Sequence, residues 1–334
     1  MTAGAKAGAA LTPGQRHATL KARRRYPPGI AMTVRAAPAF LSYAQNLEDY
    51  HLALLFAGQR DGFYIDVGGG HVVADNVSFG FYEKGWHGIV VEPQPMLAAA
   101  YRQVRPRDIV VEALCGRTAG EADFFEADRF HGLSTTSSAH ADAAAAAGIT
   151  TRLRRLPTVT LAELCAAHAP GQIDFLKVDV EGAETEVLAG NDWARFRPRV
   201  ILLEAVTPWT MADASASFAP ILAEAGYREV YFDNLNRFYM PEDGLDLAER
   251  LPRVPTAWDA VLHLGEYGPA HRDVSHPDHA LAQRIDPGCF ARLNAMEAAD
   301  LAAILPADAE PGHEATRAAL ARIACYFDGG FVID

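Results

Sequence analysis

Short apolar runs alternate with amphipathic stretches between Ala36 and Gly265, and this alternation constrains the fold more than any other feature of the chain. Apolar runs of about four to eight residues are typical of buried strands, whereas longer amphipathic stretches are typical of helices. Strands that alternate with helices form a mostly parallel sheet with helices on both faces. The predicted parallel strands are Gly62–Val67, Gly88–Val91, Ile109–Ala113, Ile173–Val178 and Val200–Leu203.

The last two apolar runs of this region, Arg228–Phe232 and Arg237–Met240, flank an Asp233-Asn234 turn and predict an antiparallel pair. The whole pattern predicts an α/β, Rossmann-like fold with a mostly parallel seven-stranded sheet and an antiparallel closing strand. The stretch Asp128–Thr151, rich in Ser, Thr, His and Ala, interrupts this pattern, and we expect an irregular lid or insert there. The residues that such a lid would fold over a substrate are His131, Ser134, Thr135 and Thr136.

Two segments lie outside the predicted 36–265 domain. Residues 1–35 contain seven Lys or Arg and no acid, which predicts a disordered tail; the alternative is a peripheral tether to an anionic membrane surface. Residues 266–334 have the pattern of a linker followed by two Ala-rich helices, Phe290–Ile304 and Glu314–Tyr326. The apolar face of these helices must pack on something, either the main domain or a second copy in a homodimer.

The charge distribution restricts the partners of the chain. The formal net charge is −12, and since residues 1–35 contribute +7, the remainder carries −19. This negative charge repels the phosphates of nucleic acids. We therefore expect a small-molecule or glycan substrate and no nucleic acid. The four cysteines are far apart, and neither a signal-peptide pattern nor an apolar run of about 18 residues occurs, which favours a cytoplasmic location without a membrane span.

A glycine-rich turn follows the first predicted strand: Asp66 lies near its end, and Gly68–Gly70 follow. Without Cβ atoms, this turn lets a ligand approach the main chain closely. Glu92 ends the next strand, 26 residues after Asp66, where an acid can accept both hydroxyls of a ribose. The predicted cofactor-binding residues of this corner are therefore Asp66, Gly68, Gly70 and Glu92, and the alternative is a tight turn that binds nothing.

The choice of cofactor depends on the residues just after this turn. A dinucleotide requires a further glycine where the next helix opens, because close helix packing leaves room for the pyrophosphate. Val73 occupies that position. S-adenosylmethionine (SAM) has no phosphate, and a glycine turn with an upstream acid suffices for its amino-acid and ribose parts. The pattern favours SAM, and an NAD-dependent oxidoreductase stays as the weaker alternative.

Several segments in one order resemble the FkbM-type methyltransferases. They are Ser42–Asp49, Gly62–Gly68, Phe81–Pro93, Leu176–Glu184, Tyr231–Asp233 and Asn236–Tyr239, which together extend over about 200 residues. The resemblance implies a class I methyltransferase fold, SAM as methyl donor, and O-methylation of a hydroxyl on a sugar, polysaccharide or secondary metabolite. It also implies that Gln45 and Asp49 help to close the cofactor pocket, with helix capping and surface polarity as the alternative for both.

Three acids are the candidate catalytic residues. Asp179 and Glu204 end the two strands expected beside the first strand, and Glu181 lies two residues past Asp179. Open α/β folds place ligands at this carboxyl edge. The three carboxylates are expected to act as a general base, or Asp179 and Glu204 bind a Mg²⁺ or Ca²⁺ ion that lowers the pKa of the acceptor. The alternative is that Glu181 caps a helix and Asp179 orders a loop, and Lys177 is expected to pair with one of these acids.

Two classes of function follow from these residues. The leading hypothesis is a SAM-dependent O-methyltransferase. The other is a catalytically silent, Rossmann-like binding module that retains the fold and docks a partner through its C-terminal helices.

Overall fold

The computed structural model describes residues 40–128, 131–207, 212–256, 260–268 and 270–283. The basic tail and the two C-terminal helices expected at Phe290–Ile304 and Glu314–Tyr326 lie outside these residues. The described strands, in chain order, are β1 (Leu41–Ser42), β2 (Phe63–Val67), β3 (His87–Val91), β4 (Ile109–Val111), β5 (Leu114–Cys115), β6 (Gly120–Ala127), β7 (Thr151–Val159), β8 (Phe175–Val178), β9 (Val200–Glu204), β10 (Tyr227–Phe232), β11 (Asn236–Pro241) and β12 (Leu262–His263). The described α-helices are α1 (Glu48–Leu55), α2 (Phe79–Glu83), α3 (Pro95–Val104), α4 (Ser138–Ala146), α5 (Leu161–His168), α6 (Glu184–Ala189), α7 (Ala219–Glu224) and α8 (His279–Ala282).

The main sheet has seven strands in the order β10-β11-β9-β8-β2-β3-β4. Strand β11 runs antiparallel to both of its neighbours, whereas the other paired strands are parallel. The prediction of an α/β fold with a large, mostly parallel sheet is therefore confirmed, as is the antiparallel pair around Asp233-Asn234. A smaller sheet has the order β5-β7-β6, and β1 pairs in parallel with β12.

Both faces of the main sheet are covered, which explains why its strands are continuous apolar runs. On one face, Tyr64, Phe175 and Phe238 belong to a core that also contains side chains of α1, α2 and α3. On the other face, Ile65 and Leu176 pack with side chains of α5, α6 and α7. Because side chains alternate along a strand, the polar residues Asp66 and Lys177 lie on the first face, and they are paired in register across β2 and β8.

The stretch predicted to be irregular, Asp128–Thr151, contains regular secondary structure, so the prediction of irregular backbone was wrong. It contains a 3₁₀ turn, His131–Leu133, and helix α4, and β7 begins at its last residue. The physical reason is local. The alanines 143–147 have the highest helix propensity, and the Ser137 hydroxyl caps the helix by accepting a hydrogen bond from the His140 amide.

The sequence after the glycine turn predicts a helix from about Asp75 to Lys84, but α2 begins only at Phe79. Asp75 has a left-handed backbone, with φ of 50°, which a helix does not tolerate. The Asn76 carboxamide instead accepts a hydrogen bond from the Phe79 amide at 2.7 Å. Within the described ranges, no helix combines the length and the apolar character needed to cross a membrane.

Candidate functional site

The glycine turn after β2 needs glycine for two different reasons. Gly68 and Gly70 have φ values of 76° and 60°, in the left-handed region that favours glycine. A Cβ on Gly68 would lie 1.8 Å from the carbonyl oxygen of Asp179, so the turn packs directly against the end of β8. A Cβ on Gly70 would meet nothing within 4 Å. The turn is therefore closed on one side and opens into free space at Gly70.

Glu92 lies beside this opening and points inward, with only 2% of its surface exposed. Its carboxylate accepts one hydrogen bond from the Gly70 amide at 2.9 Å and one from the Gln94 amide at 2.8 Å. Burial raises the pKa of Glu92 to about 7, against the lowering effect of these two amides. Each carboxylate oxygen has a second lone pair, so the pair of oxygens can still accept hydrogen bonds from a diol.

Buried polar side chains hydrogen-bond to the main-chain carbonyls of the glycine turn. The Asn76 amide donates to the carbonyls of Gly69, at 3.1 Å, and His71, at 3.0 Å. The Tyr101 hydroxyl donates to the same Gly69 carbonyl at 2.7 Å. These contacts fix the shape of the turn without using any group that faces the opening. Sequence reasoning missed both residues, because neither belongs to a recognisable motif and their contacts with the turn form only in the fold.

Asp66 is anchored in the same way, on the guanidinium of Arg105. This fully buried group donates to the Asp108 carboxylate at 2.7 Å, and to the Tyr64 hydroxyl and the Ser78 hydroxyl at 2.8 Å each. Burial lowers the pKa of Arg105, but the negative charge of Asp108 outweighs it and the net pKa is raised. The Ser78 hydroxyl then donates to Asp66 at 2.5 Å. Asp66 is thus buried and held through Ser78 on the Arg105 network, and its predicted role in cofactor binding stays a prediction.

Lys177 joins the glycine turn to the candidate catalytic acids. Its ammonium donates to the Gly68 carbonyl at 2.6 Å, and it lies 3.4 Å from Asp66 and 3.5 Å from Asp179. Burial lowers the pKa of Lys177, but the carboxylates of Asp179 and Asp66 outweigh it, so the net pKa is raised and the side chain stays charged. The expected pairing of Lys177 with an acid is therefore present, and it involves two acids.

The structure brings the three predicted catalytic acids together. Asp179, Glu181 and Glu204 each offer an oxygen atom within 4.8 Å of the others. Burial raises the pKa of Glu204 well above its usual value, and the charges of Asp179 and Glu181 add to this. Burial likewise raises the pKa of Glu181, with Asp179 as the next cause. The ionised forms of Glu204 and Glu181 are therefore disfavoured relative to a carboxylate in water, while Asp179, one third exposed, pairs with Lys177.

Glu181 has a strained backbone, with φ of 55°, an unusual value for a residue with a side chain. Its carbonyl accepts a hydrogen bond from the Thr135 hydroxyl at 2.7 Å. Thr135 in turn exchanges two backbone hydrogen bonds with Phe125 of β6, at 2.8 and 3.1 Å. The segment that follows β6 is thus held against the acids. A lid role for this segment stays a prediction.

The two residues assigned through the Ser42–Asp49 motif differ in their surroundings. Asp49 is buried, and its carboxylate accepts hydrogen bonds from the Ser42 hydroxyl, the Tyr43 amide and the Tyr50 amide at 2.6, 2.7 and 2.8 Å. Burial raises its pKa to about 6. Gln45 is exposed. Within the described residues, neither side chain hydrogen-bonds to the glycine turn or to Glu92, so their role in closing a pocket stays untested.

The parallel sheet, the glycine turn and the acids at one edge define an α/β protein of Rossmann-like type. A family model described as the Methyltransferase FkbM domain matches residues 57–229, just over half of the chain. The chain therefore belongs to the FkbM methyltransferase family, as its sequence motifs indicated. No curated protein and no solved structure matches it.

Proposed function

We propose that this methyltransferase uses SAM and methylates a hydroxyl group on a sugar, polysaccharide or secondary metabolite. The observation that supports this most is the position of Lys177. Its ammonium contacts both the Gly68 carbonyl, at 2.6 Å, and Asp179, at 3.5 Å. A cofactor bound at the glycine turn and an acceptor bound at the acids would therefore lie on neighbouring strands, as group transfer requires.

The residues at the glycine turn fit the nucleoside and amino-acid parts of SAM. Gly70 faces open space, and Glu92 retains acceptor capacity for a ribose diol. When bound, SAM supplies an electrophilic methyl group on a sulfonium. The fit to NAD is poorer. Val73, where a dinucleotide fold has its helix-opening glycine, is buried, and α2 begins six residues later, so no helix N-terminus opens at the turn for a pyrophosphate.

Three groups of the chain then have roles in the transfer. The Asp179 carboxylate takes the proton of the acceptor hydroxyl, with Lys177 holding it in place. Glu204 and Glu181, whose oxygen atoms lie within 4.8 Å of each other and of an Asp179 oxygen, orient the acceptor by hydrogen bonding. The segment that carries Thr135 excludes water.

The same acids have a second candidate role. Three carboxylates within 4.8 Å of one another are oxygen ligands of the kind that Mg²⁺ and Ca²⁺ prefer, and a bound cation would lower the pKa of the acceptor hydroxyl. Under this alternative, Asp179 and Glu204 hold the ion. Turnover that survives EDTA unchanged removes the metal, whereas loss of turnover that Mg²⁺ or Ca²⁺ restores supports it.

The proposal is tested by incubating the purified chain with isotopically labelled SAM and metabolite or glycan extracts. We expect the unmodified chain to form a labelled product, and the Asp179→Asn variant to form none. The Asp142→Asn variant, which changes an exposed acid on α4, should still form it. Calorimetric titration with NAD in parallel decides the cofactor. Binding of SAM without transfer to any extract would favour the silent binding module, and binding of NAD alone would favour the oxidoreductase.

A further inference from the structure

His131 is a polar side chain at the cofactor corner that the proposed transfer leaves unused. It begins the 3₁₀ turn after β6, and its carbonyl accepts a hydrogen bond from the Gln94 side chain at 3.3 Å. Gln94 lies two residues past Glu92. The His131 ring lies nearly parallel to that of His71, at 14° and 6.5 Å between ring centres, and His71 directly follows Gly70. His131 therefore lies beside the corner formed by Glu92 and Gly70.

The ring of His131 has hydrogen-bonding capacity that the described residues do not satisfy. Both of its nitrogens are shielded from water, and in the described part of the chain neither has a hydrogen-bond partner. Burial lowers its pKa to about 4, so the neutral ring offers one N–H donor and one acceptor nitrogen. Native structures contain few buried polar groups of this kind, and such a group points to an unseen ligand or water.

The strand order shows which part of a nucleoside cofactor would reach His131. Glu92 and Gln94 follow β3, whereas Asp179 follows β8 and Glu204 ends β9, on the opposite side of β2. If the ribose of SAM binds at Glu92, its methyl-donating sulfonium points to the acids. The purine base then extends to the opposite side, where His131 is held by Gln94. Thr135, four residues further along, already contacts Glu181 on the acceptor side.

We propose that His131 recognises the purine base of the cofactor by hydrogen bonding to the edge of the base. The inference rests on the proposed use of SAM. The edge of adenine carries an amino donor and ring-nitrogen acceptors, which complement the donor and the acceptor of a neutral imidazole. Because the ring nitrogens are shielded in the free protein, the side chain turns toward the base when the nucleoside enters.

The test uses S-adenosylhomocysteine and S-inosylhomocysteine, in which a carbonyl replaces the amino group of the base. Calorimetry should show that the unmodified chain prefers the adenosine compound by about tenfold or more, the value of one specific hydrogen bond to a polar edge. His131→Ala should lower affinity for the adenosine compound by about tenfold and abolish the preference. His131→Asn, which retains a donor and an acceptor, should keep part of it.

His87→Ala is the matched control, since His87 is exposed at the start of β3, at the far end of the strand from Glu92. It should change neither affinity. The inference is overturned if His131→Ala binds S-adenosylhomocysteine as the unmodified chain does, or if it loses affinity for both nucleosides equally. Thermal unfolding checks that each variant is folded, and His131→Asn carries the test if the alanine variant is not. An unmodified chain that binds neither nucleoside overturns the proposed function and this inference with it, whereas binding that His131→Ala leaves intact removes the inference alone.

Discussion

The ammonium of Lys177 lies 2.6 Å from the carbonyl oxygen of Gly68, and this contact links the glycine turn to the acidic side of the site. The same ammonium lies 3.4 Å from Asp66, whose side chain is buried, and 3.5 Å from Asp179. One cation thus compensates two carboxylates and positions the main chain at the turn. The proposed transfer depends on this arrangement, because it places the glycine turn and the general base Asp179 at the ends of adjacent strands.

Replacing Lys177 with Met should destabilise the fold and weaken binding at the turn. The change leaves the buried carboxylate of Asp66 without its cation, and breaking a buried ion pair in this way costs about 3–5 kcal/mol of unfolding free energy. Urea unfolding and calorimetry with S-adenosylhomocysteine measure the two effects. Arg117→Met is the control, because Arg117 forms an exposed pair with Glu186 and its loss should change stability by less than about 1 kcal/mol. A Lys177→Met chain as stable as this control would contradict the role given to the ammonium.

Adding a methyl group at Gly68 should abolish ligand binding at the turn. The Cβ would lie 1.8 Å from the Asp179 carbonyl, so the turn must move away from β8. At Gly70 the same change meets nothing within 4 Å, and only its φ of 60° is unfavourable, which costs about 1–2 kcal/mol of stability. Gly58→Ala, with φ of 88° and equally open space, is the control for backbone strain alone. Calorimetry with S-adenosylhomocysteine on the folded variants should show no binding by Gly68→Ala and unchanged binding by Gly58→Ala. Unchanged binding by Gly68→Ala, with loss of binding by Gly58→Ala, would contradict the account.

The affinity for S-adenosylhomocysteine should rise with pH through about 7. Burial raises the pKa of Glu92 from 4.5 to about 7, and only its ionised form accepts both hydroxyls of a ribose. Calorimetry between pH 6 and pH 8 measures this dependence. Glu92→Gln should bind weakly at every pH in that range, and a wild-type affinity that does not vary with pH would contradict the role of the carboxylate.

The same raised pKa has an opposite effect on stability. The folded protein holds the Glu92 proton more tightly than the unfolded chain, so the stabilisation is complete below pH 4.5 and is lost as pH rises through about 7. The shift corresponds to about 3 kcal/mol. Urea unfolding of Glu92→Gln and of the unmodified chain should therefore show the variant gaining about that much relative stability between pH 4 and pH 8. A constant difference across this range would show that Glu92 does not titrate as described.

Replacing Asp179 with Asn, or Glu204 with Gln, should remove methyl transfer while leaving cofactor binding nearly intact. Loss of the general base in Asp179→Asn lowers the rate by about 10²–10⁴-fold. Glu204→Gln alters a group that orients the acceptor, and neither side chain lies at the glycine turn. Transfer of labelled methyl and calorimetry with S-adenosylhomocysteine separate the two effects, with Asp142→Asn as the surface control. Parental rates in both variants would show that the chemistry lies elsewhere.

Much of this site could be predicted from the sequence because its signals are local. The glycine turn Gly68–Gly70 directly follows the apolar strand β2, and Glu92 directly follows the apolar strand β3. An acid or a glycine directly after an apolar run shows where the predicted strand ends. The parallel sheet then brings those ends to one edge.

The remaining features depend on contacts between residues far apart in the chain. Arg105 meets Tyr64 and Ser78, which precede it by 41 and 27 residues, and no local pattern indicates that a buried guanidinium supports Asp66. His131 belongs to the stretch Asp128–Thr151, whose Ser, Thr and His residues led to a prediction of irregular structure where α4 forms. Its position beside Gln94 depends on a hydrogen bond to a residue 37 positions earlier in the chain.

The central claim is that the opening at Gly70, with the inward carboxylate of Glu92, binds the nucleoside of SAM. Calorimetric titration of S-adenosylhomocysteine at pH 8 into the unmodified chain and into Glu92→Gln tests it most directly. The account predicts one bound nucleoside per chain and a loss of affinity of about tenfold or more in the variant. Absence of binding to the unmodified chain, or equal affinity in the two, would contradict it.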